Sequence, residues 1–144
     1  MDMMVKHYNR DNMADLLRGH GINPTHQRIE IAYALFSRQQ HLSAEQIMAA
    51  VNDRHSETSK ATVYNTLKLF LDKKLIREVI VDPSKVFYDP NTQGHHHFYN
   101  TASGQLTDID ADGISIHGLP TLPAGVETEG VDIIVRIRPA AQLS

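Results

Sequence analysis

Cysteine is absent from this 144-residue chain. Without thiols no disulfide can form and no thiolate can hold a metal, so any zinc-type site must be built from histidine and carboxylate. No stretch approaches the roughly 18 consecutive apolar residues that a membrane-spanning helix needs. The opening residues, Met1-Asp2-Met3-Met4-Val5-Lys6-His7-Tyr8, lack the apolar core of a secretion signal. These absences predict a cytoplasmic protein with no membrane partner. Excess positive charge is missing too: 14 Lys and Arg stand against 17 Asp and Glu, a net charge of −3. Taken as an average, that balance argues against nucleic acid. The average conceals a division. Residues 1–88 carry 12 basic and 10 acidic side chains, a balance of +2, whereas residues 89–144 carry 2 and 7, a balance of −5. Such asymmetry suggests two modules with different partners.

Histidine, by contrast, is plentiful, with 9 in the chain. Three stand in a row at His95, His96 and His97, with Asp89 before them and Asp108 after. If residues 95–100 form a strand, side chains alternate between faces, so His95 and His97 point one way and His96 the other. Thr101-Ala102-Ser103-Gly104 reads as a turn. A four-residue turn pairs Asn100 with Gln105 and therefore His97 with Asp108. Two imidazoles and a carboxylate then meet on one hairpin face, a donor set suited to Zn, Mn or Fe(II). The bland alternative, a tag-like surface cluster, fits poorly with an internal, strand-like run. His96, facing away, is either a support for the ligands or a solvent-exposed side chain.

Ahead of this cluster the chain reads as helices followed by a ribbon. Residues 11–20 form an amphipathic helix that Asp11 can cap and Gly21 can end. A second starts near Thr25, with Ile29, Ala32, Leu35 and Phe36 as its apolar stripe. Ser43 and Gln46 form a capping box, with Leu42 and Ile47 as a hydrophobic staple. His41 lies just before that cap, where a lone histidine is more often a bystander than a ligand. Residues 59–71 make a fourth helix that buries Val63, Leu67 and Phe70. Lys60, Tyr64, Asn65 and Lys68 lie off that stripe and suit either an ordinary solvated face or contacts to phosphate, base edges and a thymine methyl. Residues 76–81 and 85–88 are β-rich on either side of Asp82-Pro83-Ser84. Helices followed by a β wing make a winged helix-turn-helix with residues 59–71 as the reader, which favours DNA.

The fold class expected is therefore α+β: a winged-helix domain over residues 1–88, a hinge over residues 89–94, and an α/β dimerisation and metal-sensing domain over residues 95–144. Glycines and prolines keep any helix in residues 110–125 short. Val131-Asp132-Ile133-Ile134-Val135-Arg136-Ile137-Arg138 has apolar residues on both faces, which predicts the central strand of a small sheet. Some 50 residues with one such sheet are marginal alone, so a homodimer is expected, matching two-fold readers of DNA half-sites.

Gly21-Ile22-Asn23-Pro24-Thr25-His26-Gln27-Arg28, His41-Leu42-Ser43-Ala44-Glu45, Ala61-Thr62-Val63-Tyr64-Asn65-Thr66-Leu67 and the triple histidine after Phe87-Tyr88-Asp89 carry a resemblance to the ferric uptake regulator family. It covers nearly the whole length. It implies a metal-responsive, dimeric transcription factor, often a repressor, that binds double-stranded DNA at an A/T-rich inverted repeat, and not an enzyme. It also implies a regulatory divalent ion (Fe, Mn or Zn), one per subunit, held by His41, Asp89, His95, His97 and Asp108. His41 thereby becomes the ligand contributed by the reader domain. Implied DNA contacts are Lys60, Thr62, Tyr64, Asn65 and Lys68, with Thr25 and Arg28 from the preceding motif and Tyr64 meeting a thymine.

Where this chain departs from the family pattern, the departures narrow the branch. The first cysteine pair of the family's structural zinc site corresponds to Asn100 and Ser103, so no structural Cys-zinc is expected. The downstream histidine of a second site is missing near Val131. The His-His-His string and the ending look most like the iron response regulator branch, which controls iron and haem genes and can sense haem; here haem would rest on His96 and its neighbours. The peroxide-sensing branch shares the five-ligand pattern, with His41 or His95 as the oxidised residue. Outside the family, a non-haem iron enzyme using His95, His97 and Asp108 as a facial triad is the alternative.

Overall fold

The computed structural model describes residues 9–37, 41–53, 58–93 and 95–141. Residues 1–8, read above for a leader, and Gly94 of the expected hinge lie outside them. The chain divides into two compact units, Met1–Thr92 and Gln93–Ser144.

The first unit runs α1 (Arg10–Gly19), α2 (His26–Phe36), α3 (Ala44–Asn52), α4 (Lys60–Asp72), β1 (Arg77–Asp82) and β2 (Lys85–Asp89). Each helix starts on a polar cap. For α1 the cap is Asn9, whose side chain accepts from Asn12 N at 2.9 Å, and not Asp11, which falls inside the first turn. Asn and Asp cap about equally well, so composition could not choose between positions two apart; only the extended backbone of residue 9 does. Asp11 still sits favourably at the positive end of the helix dipole. At the other end Gly21 adopts φ +74°. Ile22 N then reaches Leu17 O and Gly21 N reaches Arg18 O at 2.9 and 3.0 Å, closing the helix with two bonds that need a left-handed residue. Thr25 caps α2 and Ser43 caps α3 in the full capping box with Gln46.

Met13, Leu17, Ile31, Leu35, Ile47, Val63, Leu67 and Phe70 are fully or almost fully buried in one continuous core. Glu30 on α2 is a buried charge. Glu30 is 4% exposed and takes two hydrogen bonds from Arg10, from Nε at 2.5 Å and Nη2 at 3.1 Å. The Glu30 bond raises the Arg10 pKa further above its already high value. This bidentate pair ties α1 to α2.

β1 and β2 form the antiparallel wing, with Val79 opposite Phe87 and a turn at Pro83 and Ser84. One further pair of backbone bonds matters for the site. Leu42 and Tyr88 exchange N–H···O bonds at 3.3 and 2.8 Å, bringing the segment before α3 alongside β2. In an antiparallel pairing this sets His41 beside Asp89.

The second unit holds β3 (His96–Asn100), β4 (Leu106–Ile109), one 3-10 turn (Ala111–Gly113) and β5 (Ile134–Ile137). Strand order is β4-β3-β5, with β4 antiparallel and β5 parallel to β3. The expectation of a central strand at residues 131–138 is thus corrected: β3 is central, and β5 is shorter and lies at the edge. The hairpin occupies one side of β3, and the long connection from residue 110 delivers β5 to the other side in parallel. Its two-faced apolar pattern is real, yet Val135 and Ile137 remain 37% and 38% exposed. Among the described residues, no helix is long and apolar enough to cross a membrane.

Candidate functional site

The hairpin of the second unit assembles three donors. Asn100 N donates to Gln105 O at 2.9 Å, and the register runs back to place His97 opposite Asp108. The alternation expected of a strand follows: His95 and His97 are buried, the latter at 0% exposure, while His96 is intermediate. His95 Nε2 lies 2.9 Å and His97 Nε2 3.3 Å from the same oxygen, Asp108 Oδ1. The two rings are 4.6 Å apart, centre to centre.

His95 Nδ1 is 2.6 Å from Gln93 O. A carbonyl oxygen can only accept, so Nδ1 carries a proton, which leaves Nε2 as the ring nitrogen able to offer a lone pair. That atom faces a carboxylate oxygen, and two acceptors at this distance require a cation or proton between them. The ring nitrogen anchored to a backbone carbonyl, with the other turned to the donors, is the usual dress of a metal-ligating histidine. The donor set, nitrogen and carboxylate oxygen without sulfur, fits Mn, Fe or Zn.

His96 faces the other way. Its Nδ1 accepts from Ile133 N at 2.9 Å, pinning the ring to the chain entering β5. Next along the hairpin, Asn100 Oδ1 accepts from Ala102 N and Ser103 N, Ser103 Oγ accepts from Gln105 N, and Thr101 N donates to Ile137 O. Hydrogen bonds hold the turn and fasten it to the end of β5 where the resemblance would otherwise lead to a cysteine-held zinc.

The first unit assembles a pair of its own. His41 Nε2 is 3.0 Å from Asp89 Oδ2, with both side chains almost wholly shielded, 8% and 3% exposed. The other carboxylate oxygen, Oδ1, accepts from Asn91 N at 2.8 Å. That bond fixes the Asp89 rotamer and directs Oδ2 toward the imidazole.

On α4, burial of Val63, Thr66, Leu67 and Phe70 turns Lys60, Tyr64, Asn65 and Lys68 outward. Thr62 is intermediate and shares a hydroxyl bond of 3.0 Å with the cap residue Ser59. Thr25 and Arg28 stand together at the start of α2: Thr25 Oγ1 accepts from Arg28 N at 3.3 Å, and Arg28 Nη1 donates to Asn23 O at 3.0 Å. Tyr64 is 40% exposed, its hydroxyl donates to Glu45 Oε1 at 3.1 Å, and Lys60 Nζ lies 5.9 Å from its ring centre. Partial burial first, and then the Glu45 bond, raise the Tyr64 pKa, so the phenol stays protonated. In the sequence Glu45 stands out only as part of the His41–Glu45 stretch; a contact between residues 19 apart leaves no trace in local spacing.

Residues 19–134 match the ferric uptake regulator family, and the chain belongs to that family. It is a metal-responsive transcription regulator of a dimeric, DNA-binding kind, and not an enzyme, so the alternative of a non-haem iron enzyme falls. The chain is 31% identical over 105 residues to the peroxide-responsive repressor PerR of Staphylococcus epidermidis, spanning 73% of this chain and 69% of that one. Among solved structures it resembles the Vibrio cholerae ferric uptake regulator, with a TM-score of 0.67 at 20% identity over 88% of this chain and 98% of that one. It also resembles the Pseudomonas aeruginosa ferric uptake regulator with manganese, with a TM-score of 0.64 at 21% identity over 90% and 98%.

Proposed function

We propose that this chain is a cytoplasmic, homodimeric regulator of iron and haem genes, of the iron response regulator branch, reading an A/T-rich inverted repeat through α4. Its control site is proposed to comprise His41, Asp89, His95, His97 and Asp108. The observation that carries the reading is the hairpin register, which turns the Nε2 atoms of His95 and His97 onto one oxygen of Asp108. A bound divalent cation supplies the positive charge that such converging lone pairs and carboxylates need. His41 and Asp89 belong to the first unit and the other three donors to the second. Ligands drawn from both units bind best in the arrangement that brings them together, so the ion's differential affinity biases that population.

The domain division proposed is a reader over residues 1–88, a hinge over residues 89–94 and a dimerisation and sensing domain over residues 95–144. Within the second unit, exposed Val131, Val135 and Ile137 are the surface that a second copy would cover. Reader contacts are assigned to Lys60, Thr62, Tyr64, Asn65 and Lys68, aided by Thr25 and Arg28. The triple histidine and the lack of cysteine support the iron response branch. A haem iron would find His96 Nε2, since Nδ1 is taken by Ile133 N. The likeness to a peroxide-responsive repressor supports a second reading, in which His41 or His95 is oxidised.

Binding to an A/T-rich inverted repeat, followed by anisotropy with chelator, with Mn(II) and with haem, tests these readings. Loss of binding on haem addition, with binding retained in chelator, is expected for the iron response branch. Binding that requires metal and is lost with peroxide, together with a 16 Da gain on a histidine peptide (~16 Da, one oxygen atom), would move the protein to the peroxide branch. Absence of binding in every condition would refute the reader assignment.

A further inference from the structure

A tyrosine on an exposed helix face is free to rotate unless something holds its far end. In this structure Glu45 holds it. The two residues come from different helices, Glu45 from the first turn of α3 and Tyr64 from α4. The start of α3 is itself rigidly set: Ser43 N donates to Gln46 Oε1 at 2.9 Å and Gln46 N donates to Ser43 Oγ at 3.2 Å. The carboxylate thus projects from a fixed helix start onto the Tyr64 hydroxyl at 3.1 Å, while the Lys60 ammonium sits 5.9 Å from the ring centre, within cation–π reach.

A phenol has one proton to give. With that proton on Glu45, the hydroxyl cannot donate to the acceptors that thymine and purines present in the major groove. The apolar ring remains, and the major-groove group it suits is the thymine C5-methyl. We infer that Glu45 is a positioning residue for base reading: it anchors the Tyr64 hydroxyl so that Tyr64 meets DNA with its ring and reads a thymine methyl. Glu45 also carries a negative charge beside the reader helix, which phosphates repel. Its two effects are separable. Gln keeps an acceptor and loses the charge, whereas Ala loses both.

The inference rests on α4 being the reader, and the experiment separates the two. A duplex is selected by the wild-type full-length protein from a randomised pool in Mn(II), then compared with a scrambled duplex and with copies in which single thymines are replaced by uracil. Wild-type protein should lose about fourfold at one position, the worth of one buried methyl-sized group. Glu45→Ala should lose that thymine-over-uracil preference and about 3- to 10-fold of its preference for the selected duplex, the range for one hydrogen bond. Glu45→Gln should keep the thymine preference while binding the scrambled duplex more tightly. Tyr64→Phe should match Glu45→Ala, and the double variant should be no worse than either, because both remove one contact. Melting of the variants by circular dichroism should fall by no more than a few degrees, the scale of losing one acidic residue from the first turn of a helix. Thymine preference intact in Glu45→Ala, or additive losses in the double variant, would overturn the inference alone. Failure of the wild-type protein to enrich any duplex would overturn both it and the reader assignment.

Discussion

The two units solve the problem of a small core in opposite ways. The first wraps four helices and a wing around side chains that reach zero exposure, Met13, Leu17, Ile31, Leu35, Ile47, Val63 and Phe70 among them. The second leaves Ile116, Leu119, Leu122, Val126, Val131, Val135 and Ile137 substantially exposed, and among its described residues buries chiefly His95, His97, Tyr99 and Leu106. Helices close a core locally, each covering its neighbour. A three-stranded sheet with a strand on its edge cannot cover its own faces and needs another surface. The contrast teaches that the first unit closes a core of its own, whereas the second leaves apolar surface uncovered among its described residues.

The comparison breaks most visibly if the units are separated. Residues 1–92 are expected to melt cooperatively on their own, and residues 93–144 at low concentration to show neither cooperative melting nor protected amides. A cooperative, concentration-independent transition in the second piece would sink the contrast. Within the reader, Phe70→Ala should cost about 3–5 kcal/mol of unfolding free energy by denaturant titration, as expected for emptying a fully buried aromatic site. A comparable truncation at half-exposed Val135 should barely alter the monomer's stability yet weaken self-association, read by sedimentation. His97→Ala should lower Mn(II) affinity by more than about 100-fold, beyond what loss of a supporting partner costs; calorimetry showing unchanged affinity would remove His97 from the ligands.

Smaller effects sharpen the same picture at the reader's edges. Ser43→Ala removes one side of the α3 capping box and should cost about 1 kcal/mol. At the wing tip, Asp82 accepts from Ser84 Oγ and Ser84 N at 2.7 and 2.8 Å. Those bonds, Ser84 Oγ foremost, hold its carboxyl below the usual aspartate range. A lowered folded-state pKa means the contribution is present above the unfolded value of about 4 and fades as pH falls through the folded one. The melting difference between wild type and Asp82→Asn should therefore be constant from pH 5 to 7, on a scale set by that unfolded value of about 4, and shrink below it; a difference growing toward acid would contradict the assignment.

Much of this was legible residue by residue. The capping box, the buried stripe of α4 and the pairing of His97 with Asp108 all depend on spacings of four residues or fewer, or on a turn of countable length, and local physics decides those. The cap of α1 is not legible in this way, because Asn9 and Asp11 are equally good acceptors and only backbone dihedrals separate them. The edge position of β5 is not legible either, because an apolar pattern records what a strand can bury and not which neighbour arrives to bury it.

The distinction holds for the site as well. Sequence by itself determined the donor chemistry, since a chain with nine histidines and no cysteine has no thiolate to offer and must draw its strong donors from imidazole and carboxylate, and it determined which hairpin face carries His95 and His97. Tertiary structure alone decided that His41 lies against Asp89, through the Leu42–Tyr88 bridge, and that Tyr64 is held by Glu45. Those contacts join residues far apart along the chain, where no periodicity reaches and only the packing of one element on another sets the distance.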